Sequence, residues 1–344
     1  MKMDRRWLRL LFATVMLGFS ALFVGCKGQK GTTNEALMED AAKVVPHKES
    51  NDDDRFKTFA PILPASTKAL GFFRAEDAWN VLYELASLMP HQFAVFTPEE
   101  IFERIRVVYG VQKDALKGLC AVAYMDKDAK VAVICQGGGL KRPFWAEIYE
   151  FQPLTGYVVK HRGLEVLIAE GMGFVVFGSV SGLQRLSEVQ NKLYPPLSLR
   201  IDNMMMSQKD VANPLRTSRM GLWFVDPQSA PFCLLGSCYA SAIYADGEKV
   251  EILVQSTVES APLAQSTLMT YWDKALRSPY EMILQGKRGF RVPESALQRA
   301  GLIVETAKFE QRGYMVKLSA KGNIAFLLAL LHLDTICKAL EPLE

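Results

Sequence analysis

The chain has 344 residues, 49% of them hydrophobic and 22% charged, with a formal net charge of +3. That is enough apolar material for one large domain or two ordinary ones, and it excludes a wholly disordered chain. Lys2, Arg5, Arg6 and Arg9, less Asp4, account for the whole net charge, so the remainder is close to neutral and lacks the basic footprint of a nucleic-acid binder.

In chain order, the basic front is followed by an apolar run from Leu10 to Val24. A short apolar core behind positive charge is the pattern of a secretory signal, here spanning residues 1–25, and is too short for a membrane span. The run ends in Phe23-Val24-Gly25-Cys26, which resembles the lipobox of bacterial lipoproteins, with Phe23 where that family usually has Leu. The resemblance implies cleavage before Cys26 and diacylglycerol on its thiol. Lys27, where an inner-membrane signal would have Asp, implies the periplasmic face of the outer membrane. Residues 26–55 are polar, end near Asn51-Asp52-Asp53-Asp54, and read as a flexible tether. A flexible chain of about 29 residues spans roughly 30 Å.

The body divides by pattern into lobes at 56–215 and 216–344. In the first, Lys68 to Phe73 reads as a strand and Glu76 to Met89 as a helix, with Ala78, Val81, Leu82, Leu85 and Leu88 at helical spacing. Thr97-Pro98 opens a second helix. Ala121 to Ile134 reads as a hairpin turning near Lys127-Asp128, which sets Cys120 opposite Cys135. That leaves open a cross-strand disulfide or two buried thiols; Cys233 and Cys238 are a second candidate pair, and Cys337 is left over. Strands follow over Phe144 to Phe151, Tyr157 to Lys160, Leu164 to Ala169 and Phe174 to Gly178. A helix over Ser181 to Leu193, N-capped by Ser181, then ends at Pro195-Pro196.

In the second lobe, Met220 to Val225 is a strand. Ala240 to Ala245 and Glu248 to Thr257 form a hairpin around Asp246-Gly247. A helix over Leu263 to Leu276, strands over Leu302 to Glu310 and Tyr314 to Leu318, and a helix over Ile324 to Leu340 complete it. Ala121 to Ile134 lies over Ala240 to Leu253 without a gap, and Gly173 to Gly182 over Gly313 to Gly322. The expectation is an α+β fold of two diverged repeat lobes, each a mostly antiparallel sheet covered by helices. Pro64-Ala65-Ser66-Thr67, leading into a strand, and the strand-to-helix step from Phe174 to Leu183 resemble a group of exported bacterial proteins of unknown function. That resemblance implies no activity.

The motifs of chemistry fail on inspection. His47, His91, His161 and His332 are too scattered for a metal site, so no metal and no cofactor are expected. Gly178-Ser179-Val180-Ser181-Gly182 has Val where a nucleophile elbow needs its Ser. Gln136-Gly137-Gly138-Gly139 is rich in glycine but is followed by Pro143 and a strand, not by the helix that a phosphate cradle requires. Met204-Met205-Met206 reads as core filling. The functional expectation is a lipid-anchored envelope protein that acts by binding or scaffolding. It would contact the membrane through Cys26, with an envelope protein as partner and no nucleic acid. The alternatives are a carrier of an apolar ligand or lipid in a cleft between the lobes, and a hydrolase whose site the sequence hides; no catalytic residue is assigned.

Overall fold

A computed structural model of the chain describes residues 55–88, 98–112, 118–125, 131–161, 164–233, 238–287, 291–333 and 336. The signal, Cys26, the tether up to Asp54, the proposed cap Thr97, the turn at Lys127-Asp128, and Cys337 all lie outside the described residues; Arg55, expected as the tether's last residue, instead opens a helix and is buried.

The fold is α+β. Its centre is a twelve-stranded antiparallel sheet in the order β11-β12-β10-β9-β8-β1-β2-β3-β7-β6-β5-β4. Residues before 215 supply β1 (Ala69–Arg74), β2 (Leu119–Tyr124), β3 (Val131–Gln136), β4 (Glu147–Phe151), β5 (Leu154–His161), β6 (Leu164–Gly171) and β7 (Phe174–Gly178). The rest supplies β8 (Met220–Phe224), β9 (Ala240–Ala245), β10 (Lys249–Gln255), β11 (Lys308–Arg312) and β12 (Met315–Lys321). The two expected sheets are thus one. They join where β1 pairs β8, with Leu70 opposite Trp223, Gly71 opposite Leu222 and Phe72 opposite Gly221.

Alternation along the strands feeds two cores, because successive side chains point to opposite faces. On one face Phe73, Val122, Val133, Val175, Phe224 and Ile252 pack under helices. These are α2 (Ala75–Leu88), α3 (Pro98–Tyr109), α8 (Ala261–Trp272), α9 (Ser278–Leu284), α10 (Glu294–Glu305) and α11 (Ile324–Leu331). On the other face Leu70, Phe72, Ala121, Ile134, Val176 and Trp223 pack under α1 (Arg55–Phe59), α4 (Val180–Gln190), α5 (Ser198–Ser207), α6 (Lys209–Ala212) and α7 (Pro214–Thr217).

The seam is closed by side chains as well as by the ladder. A Cβ on Gly221 would lie 2.2 Å from Leu215 Cδ2, so any larger residue there would force Leu215 to move where α7 seats on β8. The buried Arg55 guanidinium of α1 donates to the carbonyls of Leu215 (3.1 Å) and Ser218 (2.6 Å) at the end of α7. On the far face α2 packs on α10 and α11, and Arg299 of α10 forms an ion pair with Glu84 of α2. The short helices α6 and α7 likewise pack on β8, β9 and β10.

Several boundaries differ from the sequence reading. Leu302 to Glu305 is the end of helix α10 and not a strand: Ala296, Ala300 and Ile303 bury one helical stripe, and the β-branched pair Ile303-Val304 misleads by composition alone. The helix expected over Leu263 to Leu276 is longer, since α8 continues through a π-helical turn (Asp273–Arg277) into α9. Phe144 and Trp145 lie in a turn before β4. The second hairpin turns one residue late: Ala245 pairs Val250, Asp246 N–H donates to Lys249 O at 3.0 Å, and Gly247 takes φ +65°. The gapless overlay therefore matches strands but not register, since Ala121 faces Ile134 while its counterpart Ala240 faces Gln255.

Trp223, fully buried at the seam, donates its indole N–H to Gln208 Oε1 at 2.7 Å. Replacing that acceptor leaves a buried donor unsatisfied. Gln208→Leu is expected to lower unfolding stability by about 1–3 kcal/mol in urea titration; an unchanged midpoint would show that the bond contributes nothing.

Candidate functional site

The most organised polar cluster lies on the open end of the second face, across β9, β10 and β12. Register places Glu251 opposite both Tyr244 and Ser319, Leu253 opposite Lys317, and Lys249 opposite Lys321. Glu251 is buried, with 5% of its surface exposed. Its carboxylate takes an ion pair from Lys317 at 2.7 Å, a shorter one from Lys249, and the Tyr244 hydroxyl as hydrogen-bond donor. Burial would raise its pKa, but contacts with Lys249, Lys317 and Tyr244 outweigh that and hold it at about 2. Burial and the same carboxylate push the Tyr244 phenol above its ordinary value.

A carboxylate this acidic is a poor base at neutral pH, and a phenol raised in pKa is a poor nucleophile. The cluster fits a fixed charge that orders two lysines, not proton transfer.

The glycine-rich connection has a role that its sequence only half declares. Gly139 and Leu140 N–H donate to Glu170 Oε2 at 3.1 and 3.0 Å. The loop is an anion nest, and the chain's own carboxylate fills it. The same segment is tied to α3, since Lys141 N–H donates to Gly110 O at 2.7 Å. Tyr157 O–H donates to Tyr109 O at 2.6 Å beneath it.

The serine segment lines an open cleft of about 400 Å³ between β6, β7 and the start of α4, with Glu165, Leu167 and Gln184. Ser179, not Ser181, caps α4, accepting from Gly182 N–H at 3.1 Å. Ser181 Oγ lies 3.3 Å from Ser179 Oγ. Among the described residues, no histidine lines the cleft.

Cys120 and Cys135 face each other in the β2–β3 register with Cα atoms 4.1 Å apart, and the structure joins them as a disulfide. Cys233 and Cys238 are joined likewise, at 5.7 Å between Cα atoms. His332 is partly buried at the end of α11. Of the methionine run, Met205 is buried in the core while Met206 is exposed, so core filling holds for the first and not the second. Among the described residues no group of three or more His, Cys, Asp or Glu side chains is placed to hold a metal ion. Among them too, no helix is long and apolar enough to cross a membrane.

The Glu251 cluster went unread in the sequence, though a signal existed. Val250, Ile252 and Val254 alternate with Glu251 in a strand, so a lone carboxylate sits where its face is partly buried. Two of its three partners, Tyr244 and Lys317, come from other strands, and the turn's true position was needed to align Tyr244 with it.

No family model matches the chain, and no curated protein matches it. Among solved structures, "Structure of crystal form I of TP0453" aligns over 80% of this chain and 96% of that one, at 11% identity and a TM-score of 0.35. A likeness that low carries no argument about fold or function.

Two outcomes test these assignments. An acid whose folded pKa is below its unfolded value adds stability above the latter and loses it as pH falls. Stability measured against pH is therefore expected to lose one component between about 4.5 and 2. That component should be missing in Glu251→Gln; parallel profiles for the two proteins would refute the assignment. Separately, Glu170→Ala is expected to speed amide hydrogen exchange at Gly139 and Leu140, and unchanged protection there would show that another contact holds the loop.

Proposed function

We infer that this chain is a lipid-anchored protein of the bacterial cell envelope that works by binding, as a scaffold or accessory subunit, and not by catalysis. The observation that carries the location is the basic front, apolar run and Phe23-Val24-Gly25-Cys26 at the N-terminus, with a polar tether behind it. The fate of the reactive-looking groups in the body supports the binding reading. Glu170 fills its own loop, Glu251 is fixed by two lysines and a tyrosine, and Ser179 caps a helix. Asp77 and Glu84 are held by Arg219 and Arg299, although burial pushes both carboxyls up. Each of these side chains is committed to holding the fold, which is what a binding body requires and a catalytic centre does not.

The anchor is tested by metabolic labelling with a fatty acid. The wild-type chain is expected to take up label and to partition with membranes, and Cys26→Ser to do neither. Label retained on Cys26→Ser would sink the anchor. Capture of the intact protein with a stoichiometric protein partner would support the scaffold reading, whereas turnover in a broad hydrolase screen would replace it.

A further inference from the structure

The polar end of the sheet continues past Glu251. On the same face β12 presents Lys317, Ser319 and Lys321, and register sets Lys308 of β11 opposite Ser319 and Glu310 opposite Lys317. Lys308 and Lys321 are exposed, and Ser319 is half-buried between them. Lys249 and Lys321 are directly opposite each other, a like-charge pairing that costs stability in an antiparallel sheet.

The acids nearby are largely committed. Glu251 takes Lys249 and Lys317, and Glu310 takes Arg312 at 3.0 Å. Asp246 accepts the Arg219 N–H at 3.0 Å, and Asp210 accepts Tyr314 O–H at 3.3 Å. Glu248, in the β9–β10 turn, and Glu305, next to the Thr306 hydroxyl that accepts Lys321 N–H, are further acids near this edge. Among the described residues, neither Lys308 nor Lys321 has a carboxylate on its ammonium.

We propose that this face, with Lys249, Lys308 and Lys321 as cations and Ser319 as a neutral donor, binds a multivalent oxyanion of the phosphate or sulfate type. The reasoning is one of complementarity. The groups left over are donors, so the ligand must be rich in acceptors and carry more than one negative charge. Lys249 and Lys308 stand on strands two apart, which spreads the cations over about 10 Å. A diphosphate, or two neighbouring anionic groups, matches that span; a single halide does not. Glu251 has a positioning role: buried and ionised, it fixes Lys249 and Lys317 at the rim and leaves Lys308, Lys321 and the remaining ammonium donors of Lys249 for the ligand.

The test is equilibrium dialysis of the full-length chain against labelled pyrophosphate at low ionic strength. Saturable binding that weakens with added salt is expected. Lys308→Gln/Lys321→Gln should weaken it by about tenfold or more, the scale of losing charge-assisted hydrogen bonds. Lys274→Gln/Lys287→Gln, removing exposed lysines elsewhere, should leave it unchanged, and circular dichroism should show both variants folded. No saturable binding by the wild-type chain, or equal losses in the two double variants, would overturn the site. Flotation with phosphatidylglycerol and phosphatidylcholine vesicles, using the Cys26→Ser chain, separates the sources. Capture by the anionic vesicles alone, lost in Lys308→Gln/Lys321→Gln, assigns the anion to a lipid headgroup. Pyrophosphate binding without vesicle capture assigns it to a soluble ligand. Neither outcome depends on whether Cys26 is lipidated, so this site and the anchor can fail separately.

Discussion

The pairing of β1 with β8 is the contact on which the rest of the structure depends. It turns seven strands from one half of the chain and five from the other into a single sheet. Without it each half would expose a long central strand as an unpaired edge, a liability for aggregation. The glycines at the seam make the fit. Gly71 lies against the Gly221 carbonyl, where a Cβ would approach to 3.0 Å, and Gly221 leaves room for Leu215. Arg55 then ties the first helix across the seam to the end of α7, and the Trp223–Gln208 bond fixes the residue paired with Leu70.

A shared sheet has a consequence for function. At the seam, backbone pairing joins the halves, and the short helices α6 and α7 reach over β8, β9 and β10. One end of one face stays open to solvent. There β9, β10, β12 and β11 present charge to solvent while their opposite side is packed under α8, α10 and α11. Polar groups elsewhere are drawn into the fold. The glycine-rich loop illustrates this: it has the donors of an anion site, and an internal carboxylate satisfies them.

Charge placement follows the same logic of burial against pairing. Asp77 and Glu84 are partly buried on α2, and desolvation outweighs Arg219 and Arg74 at the first and Arg299 at the second. Glu251 is buried too, yet three donors converge on it and the balance reverses. The balance between desolvation and converging partners sets the sign. It also decides which carboxylate can serve as a stable fixed charge on an otherwise open surface.

The sequence by itself determined the N-terminal pattern, the α+β class and the position of most strands and helices, because each rests on neighbours within a few residues. The apolar run from Ala69 to Phe73 and the stripe through Val81 and Leu85 are local signals, and the Cys120–Cys135 juxtaposition follows from one short hairpin. Only the tertiary structure decided that the halves share a sheet, that Glu170 fills the glycine loop from 30 residues away, and that Glu251 meets Lys317. The assignment of Leu302 to Glu305 to a helix belongs with these, since its β-branched composition argued locally for a strand and burial against the sheet overruled it. The physical reason is common to all four: pairing between distant strands and the desolvation of a lone charge depend on partners that no local pattern names.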